Sequence, residues 1–126
     1  MNRIIIPTKD KKQQPVPHVW RKILSEMVEA FIDGDFKLSR TINGVQPVSA
    51  DTAAAIEGNI QEYGISLAPL PEDTWSTSVC QWYGKYWDVM VDLYSTDEGI
   101  SDLILQVRVY EGEEEYVFGV LSVYVP

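Results

Sequence analysis

The chain has 126 residues with one cysteine, one histidine and a net charge of -9, the length of one domain that buries roughly two-thirds of the surface its unfolded chain would expose. The lone Cys80 excludes an intrachain disulfide and any multi-cysteine zinc site, so packing must supply the stability, as suits a reducing cytosol. No run reaches the length of a membrane span, and the apolar patch in Met1–Pro7 is too short for a secretion signal, so a cytoplasmic protein without membrane contacts is expected.

Charge is unevenly placed. Arg3, Lys9, Lys11, Lys12, Arg21 and Lys22 are six of the ten basic residues, and everything after Lys22 is strongly acidic. Such a body repels phosphate backbones, which argues against nucleic acid as a ligand and favours a basic partner.

In chain order, Ile4–Ile6 has the composition of a short strand, but Pro7, Pro15 and Pro17 make residues 1–18 an extended N-terminal segment ahead of a single α+β domain over residues 19–126. From Val19 the spacing of Trp20, Ile23, Leu24, Met27, Val28, Phe31 and Ile32 predicts a one-faced amphipathic helix that Gly34 ends. Phe36–Ile42 reads as a possible short strand. Ser49 is placed to cap a second helix that runs to about Tyr63, with Asp51 near its positive end and Gly64 as the stop. Gly58 in its middle suggests close packing at that point.

Gly84-Lys85 between two aromatic pairs has the Gly-X form of a two-residue type II′ turn. That turn length sets Trp82 opposite Trp87, Cys80 opposite Val89 and Ser78 opposite Val91. Alternation over Ser101–Tyr110 and Tyr116–Val125 adds two further strands, joined by turns at Ser95–Gly99 and Glu111–Glu115. The predicted architecture is therefore two N-terminal helices packed on one face of a four-stranded antiparallel β-meander. With the aliphatic residues facing the helices, six tyrosines (83, 86, 94, 110, 116 and 124) fall on the opposite face with Trp75, Met90, Ile104 and Phe118. A solvated sheet face ordinarily alternates to simple polar residues, whereas Tyr, Trp and Met are enriched in interface cores.

The motifs of catalysis are missing. Nucleophilic chemistry at Cys80 or at a serine would have to recruit His18, the only histidine, and no nucleophile-elbow sequence accompanies it. Asp88 and Asp92 share a strand face but lie roughly 13 Å apart at about 3.3 Å per residue, too far for paired acid and base work. Asp102 is expected near one of them, with Arg108 as a neutralising partner. The acidic turns lack the alternating oxygen ligands of a calcium loop, and no glycine-rich phosphate cradle is present. No cofactor or metal is expected.

The segments Gly34–Phe36 (GDF), Asn59–Gly64 (NIQEYG), Leu70–Trp75 (LPEDTW), Trp87–Leu103 (WDVMVDLYSTDEGISDL) and Val123–Pro126 (VYVP) resemble a family of small bacterial domains of unknown function. The likeness covers most of the chain after His18 and carries no catalytic motif. In size and charge the chain is also similar to bacterial immunity proteins, which neutralise toxins of neighbouring cells. The expectation that follows is a non-enzymatic domain that occludes a basic protein partner. Its expected contact residues are Tyr83, Tyr86, Asp88, Met90, Asp92, Tyr94, Asp102, Arg108 and Tyr110. Two alternatives stay open: a structural homodimer formed through the same face, and a small-molecule pocket between helices and sheet around Trp20, Trp82 and Trp87.

Overall fold

A computed structural model describes residues 4–126. The first helix, α1 (His18–Ile32), buries Trp20, Leu24, Met27, Val28, Ala30 and Phe31, the stripe that the apolar spacing dictates. The second, α2 (Ala50–Tyr63), starts where the Ser49 hydroxyl accepts the Thr52 N–H at 3.2 Å and stops at Gly64, whose φ of 87° is the left-handed cap that glycine adopts without strain. Ala53, Ile56 and Ile60 form its buried stripe. Gly58 does not mark close packing: a Cβ added there meets no heavy atom within 4 Å.

The strands are β1 (Gln14–Pro15), β2 (Val79–Trp82), β3 (Trp87–Ser95), β4 (Gly99–Glu111) and β5 (Tyr116–Tyr124). They form one antiparallel sheet in chain order, so the expected four-stranded meander is present with a fifth strand added at its edge. The β2–β3 hairpin has the predicted register, with Trp82 opposite Trp87 and Cys80 opposite Val89. Gly84 takes a φ of 87°, and the Tyr83 N–H meets the Tyr86 carbonyl at 2.8 Å. Buried and half-buried residues alternate strictly along β3, so Trp87, Val89, Val91 and Leu93 face the core while Asp88, Met90, Asp92 and Tyr94 face outward.

Several expectations are corrected. Residues Ile4–Ile6 form no strand; instead Ile5 exchanges hydrogen bonds with His18, and β1 arises further on. Phe36–Ile42 is a folded loop, because the Asp35 carboxylate accepts the N–H groups of Ser39 and Arg40 at 2.9 and 3.1 Å and Leu38 turns to a φ of 50°. Trp75 leaves the sheet altogether. It sits in a short 3-10 helix, Glu72–Ser76, buried, with the Arg21 guanidinium 5.4 Å from its ring centroid. The face assignment of β5 is half wrong. Gln106 pairs with Ser122 but Val107 pairs with Val120, so Leu121 is an extra, bulged residue. One extra residue inverts alternation, and Tyr116, Phe118 and Val120 therefore line up with the inward residues of β4 while Val117 lies opposite Tyr110 on the outer side. Phe118 is buried accordingly.

The core joins these layers through aromatic edges. Trp20 of α1 meets Trp87, Tyr116 and Phe118 with ring centroids 5.3, 5.4 and 6.4 Å apart, all edge-to-face. Helix α2 runs close along β5, and its Asn59 donates to the Val123 carbonyl at 2.8 Å. The N-terminal segment closes over the same core, where the Thr8 carbonyl accepts the Trp87 indole N–H at 2.8 Å. Beyond the end of β2 the exposed edge of β3 is taken over by hydroxyls and loop backbone. Thr74 Oγ1 donates to the Asp92 carbonyl at 2.7 Å, Ser78 Oγ accepts the Asp92 N–H at 3.0 Å, and the Ala68 N–H reaches the Tyr94 carbonyl at 2.8 Å.

Candidate functional site

The outward residues of β2, β3 and β4 build a continuous surface. Around the tip of the first hairpin, Tyr83 and Tyr86 approach with centroids 6.1 Å apart, and Tyr86 lies 5.7 Å from Tyr110 on β4. The Arg108 guanidinium stacks over Tyr86 at 4.4 Å, a cation–π contact that fixes both side chains. Register places Arg108 opposite Asp88, yet the expected ion pair does not form. Gln106 Nε2 instead donates to both Asp88 carboxylate oxygens at 3.0 and 3.2 Å, and the Arg108 Nε–H is buried without a hydrogen-bond partner among the described residues.

Thus Tyr83, Tyr86, Asp88, Arg108 and Tyr110 are one cluster, extended by Met90, which pairs with Gln106 across the strands. Asp92 and Tyr94 lie farther along β3 opposite Ile104 and Ile100. Asp102 does not join Asp88 or Asp92, because it falls in the irregular stretch where pairing skips from Ile104 to Ile100 and its N–H donates to the Tyr63 hydroxyl at 3.0 Å. Gln106 is the contributor that the sequence reading missed. Its signal was positional: an amide on the outward side of β4, one inward residue away from Arg108. Tyr83 is 54% exposed and Tyr110 38%, while the rest of the cluster is half-buried by its own neighbours.

A concavity lies at the turn of the β4–β5 hairpin. It measures about 460 Å³, with Trp20, Tyr116 and Phe118 beneath it and the Glu111–Glu115 turn along its lip. Of the three tryptophans expected around a pocket, Trp20 alone lines it; Trp87 is buried, and Trp82 is half-buried with the Lys9 ammonium 5.4 Å from its ring centroid. The Trp20 indole is fully buried, and its N–H has no hydrogen-bond partner among the described residues. The turn is tightly built, since the Gly112 N–H donates to the Glu115 carbonyl at 2.9 Å and a Cβ on Gly112 would come within 2.4 Å of that oxygen.

The residues considered for catalysis are engaged by backbone groups. Cys80 is buried with its Sγ 3.8 Å from the Pro15 carbonyl, and burial pushes its thiol up to about 12, away from the thiolate that nucleophilic chemistry needs. His18 Nδ1 accepts the Ile5 N–H at 2.8 Å and its Nε2 lies 3.3 Å from Arg21 Nη1. Among the described residues no group of three His, Cys, Asp or Glu side chains is arranged to hold a metal ion, and no helix is long and apolar enough to cross a membrane.

No curated protein and no solved structure matches the chain. A family model does match, over residues 28–126, from the last third of α1 through α2 and strands β2–β5. The match takes in the outer-face cluster and the hairpin side of the pocket but neither Val19, Trp20 and Ile23 on the pocket's other side nor the N-terminal segment, and by it the chain belongs to the family described as a domain of unknown function, DUF7668.

Proposed function

We propose that this chain is a non-enzymatic, cytoplasmic protein-binding domain of the immunity type, which occludes a basic partner by docking it on the outer face of the sheet. In this reading both helices back one face and leave the other to the partner. The observation that carries it is the outer-face cluster of Tyr83, Tyr86, Tyr110 and Arg108, whose side chains pack on one another, with Met90 farther along the same face of β3. Tyr and Arg are enriched among the residues that dominate binding energy at interface centres, Tyr because it buries a large rigid ring and Arg because its guanidinium both stacks and hydrogen-bonds. Asp88 and Asp92 beside them, on a body of net charge -9, steer a cationic partner and penalise an acidic one. The immunity reading itself rests on size and charge. The high thiol value of Cys80 and the tethered His18 support a role without chemistry.

The experiment is titration calorimetry against the product of the neighbouring gene, if that product is basic, with light scattering of the free chain at high concentration. Tyr86→Ala removes the ring that holds Tyr83, Arg108 and Tyr110 together and is expected to weaken binding by about 2 kcal/mol, roughly thirtyfold. Asp88→Lys is expected to slow association at low salt. Unchanged affinity in both variants would sink the docking role of this face. A dimer that Tyr86→Ala dissociates would instead assign the face to a second copy of the chain.

A further inference from the structure

The outer face of the sheet carries a further inference, which rests on its reading as a docking surface. We propose that Arg108 and the gap over Gly119 form a carboxylate site, where a basic polypeptide partner seats one acidic side chain. The Arg108 guanidinium lies 4.4 Å from the Tyr86 ring centroid and forms no hydrogen bond or ion pair among the described residues. Its Nε is enclosed, so a ligand does not reach that atom; the terminal Nη1 and Nη2 are not enclosed. The side chain is half-buried, and a charge that has given up part of its hydration gains from a counter-ion. An anion must therefore approach end-on at the two terminal nitrogens. A planar carboxylate meets both through parallel N–H donors, the pairing for which a guanidinium is shaped.

The neighbouring carboxylate does not fill this role. Asp88 lies opposite Arg108, but both its oxygens accept Gln106 Nε2, at 3.0 and 3.2 Å. On the other flank Arg108 pairs with Gly119 of β5, a glycine that neither backbone geometry nor packing requires. Its φ is not positive, and a Cβ there meets no heavy atom within 4 Å. Glycine inside a strand weakens it and marks a place where another group comes close. Here the missing side chain leaves the β5 flank of the guanidinium uncovered. Net charge selects what carries the carboxylate. A body of charge -9 repels a free anion, whereas an acidic side chain flanked by cations is drawn in, with Asp88 and Asp92 on the same face to receive the flanking charges.

The probes are two capped peptides, acetyl-KKEKK-amide and acetyl-KKQKK-amide, with inorganic phosphate as a third. The readout is the ¹H–¹⁵N spectrum of the full chain, at the Gly119 amide and at the Arg108 Nε–H, which Arg108→Lys assigns. Attraction to the acidic body alone favours KKQKK, which carries one more positive charge. A carboxylate site inverts that order, and KKEKK is expected to bind about fivefold tighter at these two resonances. Arg108→Lys keeps the charge but loses the fork, and should restore the order that charge sets. Gly119→Ala fills the gap without a clash and should weaken KKEKK about threefold at a melting temperature no lower than that of wild type. If Arg108→Lys does not fold, Gly119→Ala and the two peptides on the wild-type chain decide the same point.

KKQKK binding as tightly as KKEKK overturns the carboxylate, and Gly119→Ala with unchanged KKEKK affinity overturns the approach over β5. Phosphate that moves both resonances at lower concentration than KKEKK gives the site to a phosphoryl group and overturns the acidic side chain. No saturable shift with any probe overturns the site. A dimer in light scattering that Arg108→Lys dissociates gives Arg108 to a carboxylate of a second copy and overturns the basic occupant. The docking face itself fails separately, when a protein partner binds Tyr86→Ala and Asp88→Lys unchanged.

Discussion

Replacing Thr74 by valine isolates the hydroxyl relay that finishes the edge of β3. Each hydroxyl carries one proton, so the contacts define a direction. The Asp92 N–H donates to Ser78 Oγ at 3.0 Å, Ser78 donates to Thr74 Oγ1 at 3.1 Å, and Thr74 donates to the Asp92 carbonyl at 2.7 Å. Thr74 and Ser78 are both buried, so water cannot replace what valine removes. The shape is kept, but the Asp92 carbonyl and the Ser78 hydroxyl each lose a partner inside the protein. An unmatched buried group costs about 1–3 kcal/mol, and Thr74→Val is expected to destabilise the fold by about 2 kcal/mol. With an unfolding entropy near 2.1 cal/mol/K per residue, that lowers the melting temperature by roughly 8 °C for a chain of this length. Urea unfolding followed by tryptophan fluorescence measures it as a lower midpoint at unchanged slope. Thr96→Val, at an exposed hydroxyl that forms no side-chain hydrogen bond among the described residues, serves as the control and should stay within about 0.5 kcal/mol. A Thr74→Val protein as stable as the control would refute the relay.

Gly58→Ala should stabilise the protein by about 1 kcal/mol, read as a rise in urea midpoint, because the mid-helix site has open space for a methyl group. Hydrogen bonds from the Ser39 and Arg40 backbone, with the Arg40 side chain adding to them, hold the Asp35 carboxyl below its ordinary 3.8. A lowered folded-state value means the contribution is present above pH 3.8 and is lost as the pH falls below it. Asp35→Asn should therefore be less stable than wild type at neutral pH and converge with it in acid, in paired urea titrations. Cys80 should resist thiol reagents in the native state at pH 8 and react at a rate that follows unfolding, which mass spectrometry over a urea series would detect.

What the sequence discloses here follows from whether a residue's signal is local. Gly84 specifies its turn alone, and the turn fixes the register of β2 against β3; Ser49 and Gly64 likewise bracket α2 with their own backbone chemistry. Strand β1 escapes because two residues have no periodicity and Pro15 has no N–H to offer a ladder. The inversion in β5 escapes for a different reason. Val117, Phe118, Val120, Leu121 and Val123 are apolar in both phases, so nothing local says which phase faces in. Only pairing with β4 reveals the bulge, and with it the transfer of Tyr116 and Phe118 from the docking face to the rear pocket. The 3-10 helix at Trp75 did carry a sign, acidic residues at Glu72 and Asp73 directly after Pro71, where a helix start favours them. The Gln106–Asp88 contact replaces the anticipated ion pair because Arg108 is committed to the Tyr86 ring, a preference that spacing does not encode.

The borders of the sheet constrain how this protein can associate. On one side β1 lies against Val79 and Cys80. On the other, Gly44 and Gln46 take both backbone groups of Phe118, and Asn59 takes the Val123 carbonyl. An incoming strand would have to evict bonds already made within the chain before it could pair, which disfavours recruitment by strand addition and runaway stacking into fibrils. Contacts made through side chains displace none of these bonds. Partners that choose this protein by the identity of its side chains thus have an advantage over any that would bind its backbone irrespective of sequence.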